Sequence, residues 1–379
     1  MVYLDNASTT RIHPEVLEEM MLYLTDEFGN PGSIHAKGRA AKKAVTESKK
    51  KIKELLGMQP DDVIIFTGSA TEANNLALML MKKGSHDDLI IDPCSHHSVI
   101  AASHDRFLRS FKIDVNSSGE LYGQSLDGLL RDVYSPCGAS ISVVNSELGT
   151  INDVYEISRI CNKHGVILHA DFTQAIGSVK VNLGELEGMY LASFSAHKIH
   201  GPKGIGMLCM SHETYQIVSE RGALIKGGTI QEYGLRGGTE NVASIVGFAK
   251  AVELAVKAQE NNNMVLIKHA FYDRLKENAG NVEMRINGQP FNASKTLSLT
   301  VNGIDAETLV LMLDARGICI SAGSACMSAS QEPSHILKAV GMTDEESYCT
   351  VRVSFDPFSS SHLEYMESAK IIGETIKDY

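Results

Sequence analysis

The stretch Ser193-Phe194-Ser195-Ala196-His197-Lys198-Ile199-His200-Gly201-Pro202-Lys203-Gly204 sets one lysine between two histidines in a short turn between apolar runs. Upstream, Val166-Ile167-Leu168-His169-Ala170 has the pattern of a buried strand and delivers Asp171 at its C-terminal end, with Gln174 just beyond. A lysine after a strand is ordinarily a solvated surface group. An acid at a neighbouring strand end gives it a second use, in which the acid grips a ring nitrogen and the amine a ring aldehyde of one flat heteroaromatic molecule. Pyridoxal phosphate (PLP) needs both groups, a lysine for its Schiff base and a carboxylate for its pyridinium nitrogen.

At 379 residues and 43% hydrophobic, the chain is too long for one ordinary core, and about two domains are expected. A formal net charge of −11 argues against a general nucleic-acid or anionic-membrane surface. Met1-Val2-Tyr3-Leu4-Asp5 lacks a basic region followed by an apolar core, and no apolar run approaches bilayer length. A cytoplasmic chain with no membrane and no direct nucleic-acid partner is the expectation. Seven cysteines, an odd number with no C-x-x-C pair, fit neither a disulfide framework nor a structural zinc site, so no metal is expected.

Helical spacing predicts helices over Glu15 to Leu24 and Arg39 to Leu56. Val63-Ile64-Ile65-Phe66 reads as a buried strand feeding Thr67-Gly68-Ser69-Ala70-Thr71-Glu72, where Ser69 and Glu72 fit a capping box; most capped helices bind nothing, but the unpaired N–H groups at this helix start could hold a phosphate with Thr71. In Ser95-His96-His97-Ser98 the paired histidines suggest metal, but on an extended chain they point to opposite faces, which favours one histidine facing a pocket. Strands and helices then alternate, with polar residues gathered past strand C-termini, as in a mostly parallel α/β sheet with its ligand crevice at the strand ends. The helix from about Ala243 to Gln259 and the polar Glu260-Asn261-Asn262-Asn263 mark a domain boundary. Beyond it Thr296 to Val301 alternates as a half-buried strand, Ser321 to Ser330 is a run of small residues around Cys326, and Leu363 to Lys377 closes the chain as a helix. A cysteine in so small-residued a loop is expected to be exposed and chemically active.

In order, Tyr3-Leu4-Asp5-Asn6-Ala7, Phe28-Gly29-Asn30-Pro31, Ala70-Thr71-Glu72, His96, Asp171 with Gln174, Ser195-Ala196-His197-Lys198, Arg236 with Gly238-Thr239, Gly323-Ser324-Ala325-Cys326 and Arg352 resemble, nearly full-length, the NifS/IscS-like cysteine desulfurases. That group is a branch of the PLP enzymes of fold type I, the aspartate-aminotransferase-like class. The resemblance implies a mostly parallel sheet flanked by helices plus a smaller α+β domain. The large PLP-binding domain is expected over 15–258, and the small domain, carrying the cysteine loop, over 1–14 and 259–379.

The same resemblance implies roles. Lys198 would hold PLP and move the substrate α-proton, Asp171 would pair with the ring nitrogen, Gln174 with the ring hydroxyl, and His96 would stack on the ring. Ala70, Thr71, Ser195 and His197 would bind the phosphate, joined by Thr239 from the other subunit of a homodimer with a shared active site. Ser146 would lie beside the cofactor, Asn145 beside the substrate, and Arg352 would hold the carboxylate of L-cysteine. Cys326 would take the sulfur as a persulfide, release alanine, and pass sulfur to an acceptor protein such as a scaffold or thiolation enzyme. A lyase acting on selenocysteine or cysteine sulfinate, and a sulfur-transfer scaffold impaired in catalysis, are the alternatives. Several positions depart from the pattern: Ser146 stands for an asparagine, Ser95 for a glutamate, Phe172 for a small residue, Thr229-Ile230 interrupts a glycine cluster, and Asp356-Pro357 falls where glycine is usual.

Overall fold

In the computed structural model, which describes residues 1–228, 231–323, 332–359 and 362–379, strand Ile167–Asp171 is buried along its whole length. The strands are β1 (Val2–Tyr3), β2 (Val63–Thr67), β3 (Asp88–Ile91), β4 (Arg109–Lys112), β5 (Pro136–Ser142), β6 (Ile167–Asp171) and β7 (Tyr190–Ser195). They continue as β8 (Gly206–Met210), β9 (Met284–Asn287), β10 (Thr296–Val301), β11 (Ile318–Cys319), β12 (Ser321–Ala322) and β13 (Thr350–Ser354).

The large sheet runs β2-β8-β7-β6-β5-β3-β4. All its pairings are parallel except those of β8, which is antiparallel to both β2 and β7. Apolar side chains bury both faces: Ile64 and Phe66 pack in one cluster, Val63 and Ile65 in another, as expected of a sheet covered by helices on each side. This direction pattern brings chemistry to one edge. Ser142 is opposite Asp171 and Asp171 opposite Ser193, so the C-terminal ends of β5, β6 and β7 are level. The reversal at β8 leaves β2 running with β7, and Thr67 joins the same edge beside Gly206. Gly206 is required there, since a Cβ would sit 2.4 Å from the carbonyl carbon of Ser69 in the turn that follows β2.

A second sheet, β12-β13-β10-β9, is antiparallel, while β1 pairs in parallel with β11. Its core combines Leu4 from the N-terminus with Leu297, Leu299, Val351 and Val353 and with Phe271 and Ile372 of the helices Met264–Asn278 and His362–Asp378. The expected half-buried alternation of Thr296 to Val301 is corrected: all six residues are buried. Its polar face is covered by Asn287, whose Nδ2 donates to Thr300 Oγ1 at 2.9 Å, and by Thr350, whose Oγ1 lies 2.9 Å from the same hydroxyl.

Candidate active site

Asp171 leaves β6 at the sheet edge and is 7% exposed. Its Oδ2 accepts from Asn74 Nδ2 and its Oδ1 from the Thr173 amide, both at 2.9 Å. Lys198 closes a short 3-10 turn, Ala196–Lys198, directly after β7. Its Nζ donates to the carbonyls of Ala7 at 2.7 Å and Ser8 at 2.6 Å, which ties the lysine to the N-terminal segment. Arg352 comes from β13 of the second sheet, 4% exposed, and donates to Asp5 Oδ1 at 2.9 Å, Ser8 Oγ at 2.5 Å and the Ser146 carbonyl at 3.2 Å.

These groups line one cavity of about 390 Å³ together with Ala70, Thr71, His96, Ser146, Gln174, Ser195 and His197. Ten of the expected residues therefore share a wall. The helix Ala70–Met81 points its start at the cavity, with Ser69 Oγ accepting from the Glu72 amide at 3.1 Å. The expected capping box is only half formed: Glu72 reaches back to the Gly68 amide at 2.7 Å, and its other oxygen receives Arg236 at 3.0 Å. Arg236 thus fastens the glycine-rich segment to the turn after β2.

Burial lowers His96, and it pushes His197 down to about 4, with the charges of Lys198, Lys203 and Lys295 acting in the same direction. The His197 imidazole is neutral at pH 7 and meets an anion as a hydrogen-bonding group. His169, beneath the site on β6, sits between Ser140 Oγ at 2.7 Å and Ser193 Oγ at 3.0 Å and is pushed down to about 4 by burial, against the pull of Asp171.

Three expected site residues lie elsewhere. Asn145 does not line the cavity: its Nδ2 donates to the Cys94 carbonyl at 2.8 Å, and its Oδ1 accepts from the amides of Glu147 and Leu148 at 2.9 Å each, so it shapes the turn after β5. Thr239 is absent from the wall of its own chain's cavity. Cys326 lies outside the described residues, as do Thr229 and Ile230. The opposite-face reading of the histidine pair is corrected. His96 is the N-cap of helix His97–Arg106 rather than part of a strand, and both histidines line the cavity. Among the described residues no group of histidine, cysteine and carboxylate side chains could hold a metal ion. Phe172, which departs from the family pattern, turns into the core and stacks on Phe194 with ring centroids 5.3 Å apart.

Sequence reasoning missed Asn74, Glu147 and Ser8 as wall residues. Asn74 stands one helical turn after Thr71 and shares its face, a spacing that could have revealed it. Glu147 is 7% exposed; burial pushes it up to about 7, against the Ser334 hydroxyl that donates to it at 2.6 Å and the charge of Arg352.

The residues present fit PLP. Ser195 Oγ, Gln174 Oε1 and Arg352 Nε are buried polar atoms without a partner among the described residues, and all three belong to cavity-lining residues. Buried polar atoms are rarely left so, and a phosphate, a ring hydroxyl and a carboxylate are complementary to them.

The model of the family described as aminotransferase class-V matches residues 2–362. The chain belongs to the class-V aminotransferase family. Within that family it is similar to the cysteine desulfurase IscS of Dictyoglomus turgidum, 35% identical over 372 residues, which span 95% of this chain and 90% of that protein. A cysteine desulfurase of Cereibacter sphaeroides is 33% identical, with 95% and 92% covered. Among solved structures, a NifS-like protein from Rickettsia africae superposes with a TM-score of 0.86 at 29% identity and covers both chains fully. SspA, solved in complex with cysteine, gives a TM-score of 0.76 at 27% identity, covering 95% of this chain and all of that one.

Proposed function

We infer that this chain is a PLP-dependent cysteine desulfurase that converts L-cysteine to L-alanine and moves the sulfur onto Cys326. The observation that carries the reading is a single cavity walled by Lys198, Asp171 and Arg352, each delivered by a different strand. Bound there, PLP supplies an electron sink for the bonds broken at the substrate. Asp171, braced by Asn74 and the Thr173 amide, holds a proton on the ring nitrogen. Ser195, His197, Thr71 and the amide end of helix Ala70–Met81 bind the phosphate, Gln174 the ring hydroxyl, and His96 a ring face. Arg352 takes the substrate carboxylate in exchange for Asp5 and Ser8, and Lys198 Nζ moves the proton of the α-carbon.

Cys326 Sγ receives the sulfur: the substrate carbon–sulfur bond breaks, a sulfur–sulfur bond forms on Cys326, and protonation of the carbon left behind gives alanine. Cys94 is the one described cysteine on the cavity wall, and burial pushes its thiol up, away from the reactive thiolate. That favours Cys326 over Cys94 as the carrier; the lyase reading, in which the protein thiol is less essential, is separated by Cys326→Ala, which under that reading would leave cysteine-dependent sulfide release intact.

We further propose the division into a large domain over 15–258 and a small one over 1–14 and 259–379. The active form is a homodimer in which Thr239 completes the partner's phosphate site. Leu17, Met21, Leu22, Leu24, Phe28 and Ile34 are exposed large apolar side chains, the kind that such a contact buries. The six described cysteines are free, which suits a reducing cytoplasm, and no described helix is long and apolar enough to cross a membrane.

The test is incubation of the PLP-loaded protein with L-cysteine. Alanine is expected, and its absence with Lys198→Ala. A parent protein that forms no alanine and shows no visible absorbance after loading contradicts the reading and favours a non-catalytic scaffold.

A further inference from the structure

Behind the lysine turn lie a buried lysine and a part-buried aspartate–histidine pair that the reaction leaves unused. Lys295, immediately before β10, is 3% exposed, and its Nζ donates to the backbone carbonyl of Lys198 at 2.8 Å. Burial pushes this ammonium down to about 7, the charge of Lys198 acts the same way, Asp356 opposes both, and Arg352 adds to the lowering. Asp356 is itself fixed, its Oδ1 receiving His200 Nε2 and the Phe358 amide at 2.9 Å each. It stands where the family resemblance leads to glycine.

His200 follows Lys198 by two residues and has φ of 61°, a left-handed conformation that a residue with a side chain adopts at a cost. It is over-determined by its surroundings. Its amide donates to Thr10 Oγ1 at 2.8 Å, its carbonyl accepts from the His13 amide at 2.9 Å, and its Nδ1 lies 2.9 Å from the Arg11 carbonyl. The lysine turn is therefore held at both ends, at the Lys198 carbonyl by Lys295 and at His200 by Asp356. A charged donor on a backbone carbonyl is a stronger tether than a neutral one, and Asp356 is the group whose charge opposes the loss of that proton.

We propose that Lys295 is a positioning residue for Lys198: with Asp356 and His200 it clamps the turn that aims the Lys198 amine at the cofactor aldehyde. The proposal rests on the reading of Lys198 as the cofactor lysine. Lys295 is bonded to the Lys198 turn and coupled to Arg352 through charge, so its loss slows steps at Lys198 more than it weakens the grip on the substrate carboxylate.

The experiment compares the parent chain, Lys295→Met and Asp356→Asn. Cofactor-free protein is mixed with PLP, quenched with borohydride at intervals, and the Lys198 peptide is quantified by mass spectrometry, with melting curves recorded in parallel. Lys295→Met should slow trapping on Lys198 about tenfold, the scale of one charge-assisted bond, and lower kcat for L-cysteine by more than it raises KM. Asp356→Asn should act in the same direction by about threefold, and it decides the question if Lys295→Met does not fold. Trapping at the parent rate in a folded variant, or a rise in KM with kcat unchanged, overturns the clamp. Failure of the parent to trap PLP on Lys198 overturns the cofactor reading instead, which keeps the two failures apart.

Discussion

The side-chain amide of Asn74 donates to Asp171 Oδ2 at 2.9 Å and also to Ser98 Oγ at 2.9 Å, and Ser98 Oγ lies 2.8 Å from His96 Nδ1. One asparagine thus ties the acid expected at the ring nitrogen to the histidine expected on the ring face. Replacing Asn74 by Ala removes a bond to a charged group, and PLP binding should weaken about tenfold. Titration of cofactor-free protein with PLP, followed by the visible band, measures it. Unchanged affinity would mean that Asp171 needs no such brace.

Phe172 and Phe194 stack beneath the site, exposed by 2% and 1%. Phe172→Ala should cost about 3–5 kcal/mol of stability, read from the denaturant midpoint, because it leaves a cavity in a packed core. A small loss would show that the core closes over the gap.

Glu147 predicts a pH effect. Burial raises its carboxyl from 4.5 to about 7, so between those values the unfolded chain has released a proton that the folded chain keeps. Its contribution to stability is complete below pH 4.5 and is lost as pH rises through about 7. Melting temperatures of the parent and Glu147→Gln measured across this range should show the parent losing ground to the variant as pH rises. Parallel curves would contradict the buried-acid account.

Lys268 works in the other direction. It is 1% exposed, with Nζ donating to Asn292 Oδ1 at 2.9 Å and the Thr296 carbonyl at 3.3 Å, and burial lowers it from 10.5 to about 7. The cost of burying its charge is present in full below about pH 7 and fades as pH rises toward 10.5. Relative to Lys268→Met, the parent should gain melting temperature between about pH 7 and 9, below the range in which buried thiols such as Cys161, raised to about 12, act oppositely. A constant offset between the two proteins would show that Lys268 keeps its proton throughout.

The frame of the site was legible because it rests on local pattern. Apolar runs with Asp171 and Lys198 at their ends form adjacent buried strands of one sheet, and those residues meet because parallel strands end at one edge. What the sequence hid depends on contacts distant along the chain. Nothing in the residues near Phe172 says that its ring turns away from the ligand onto Phe194, or that Asn145 spends its side chain on the turn after β5. The polar face of Thr296 to Val301 is buried because Asn287 and Thr350 cover it, which alternation alone misreads as solvent. A buried lysine such as Lys295 carries no local mark, since lysine is ordinarily exposed.

The central claim is that sulfur leaves the substrate for Cys326 while Lys198 serves the cofactor. Incubation of the PLP-loaded protein with L-cysteine, followed by peptide mass spectrometry under non-reducing conditions, tests it most directly. One added sulfur atom on the Cys326 peptide, matched by alanine and absent in Lys198→Ala, is the predicted result. Full sulfide release by Cys326→Ala, with no sulfur adduct on the parent's Cys326 peptide, would contradict it.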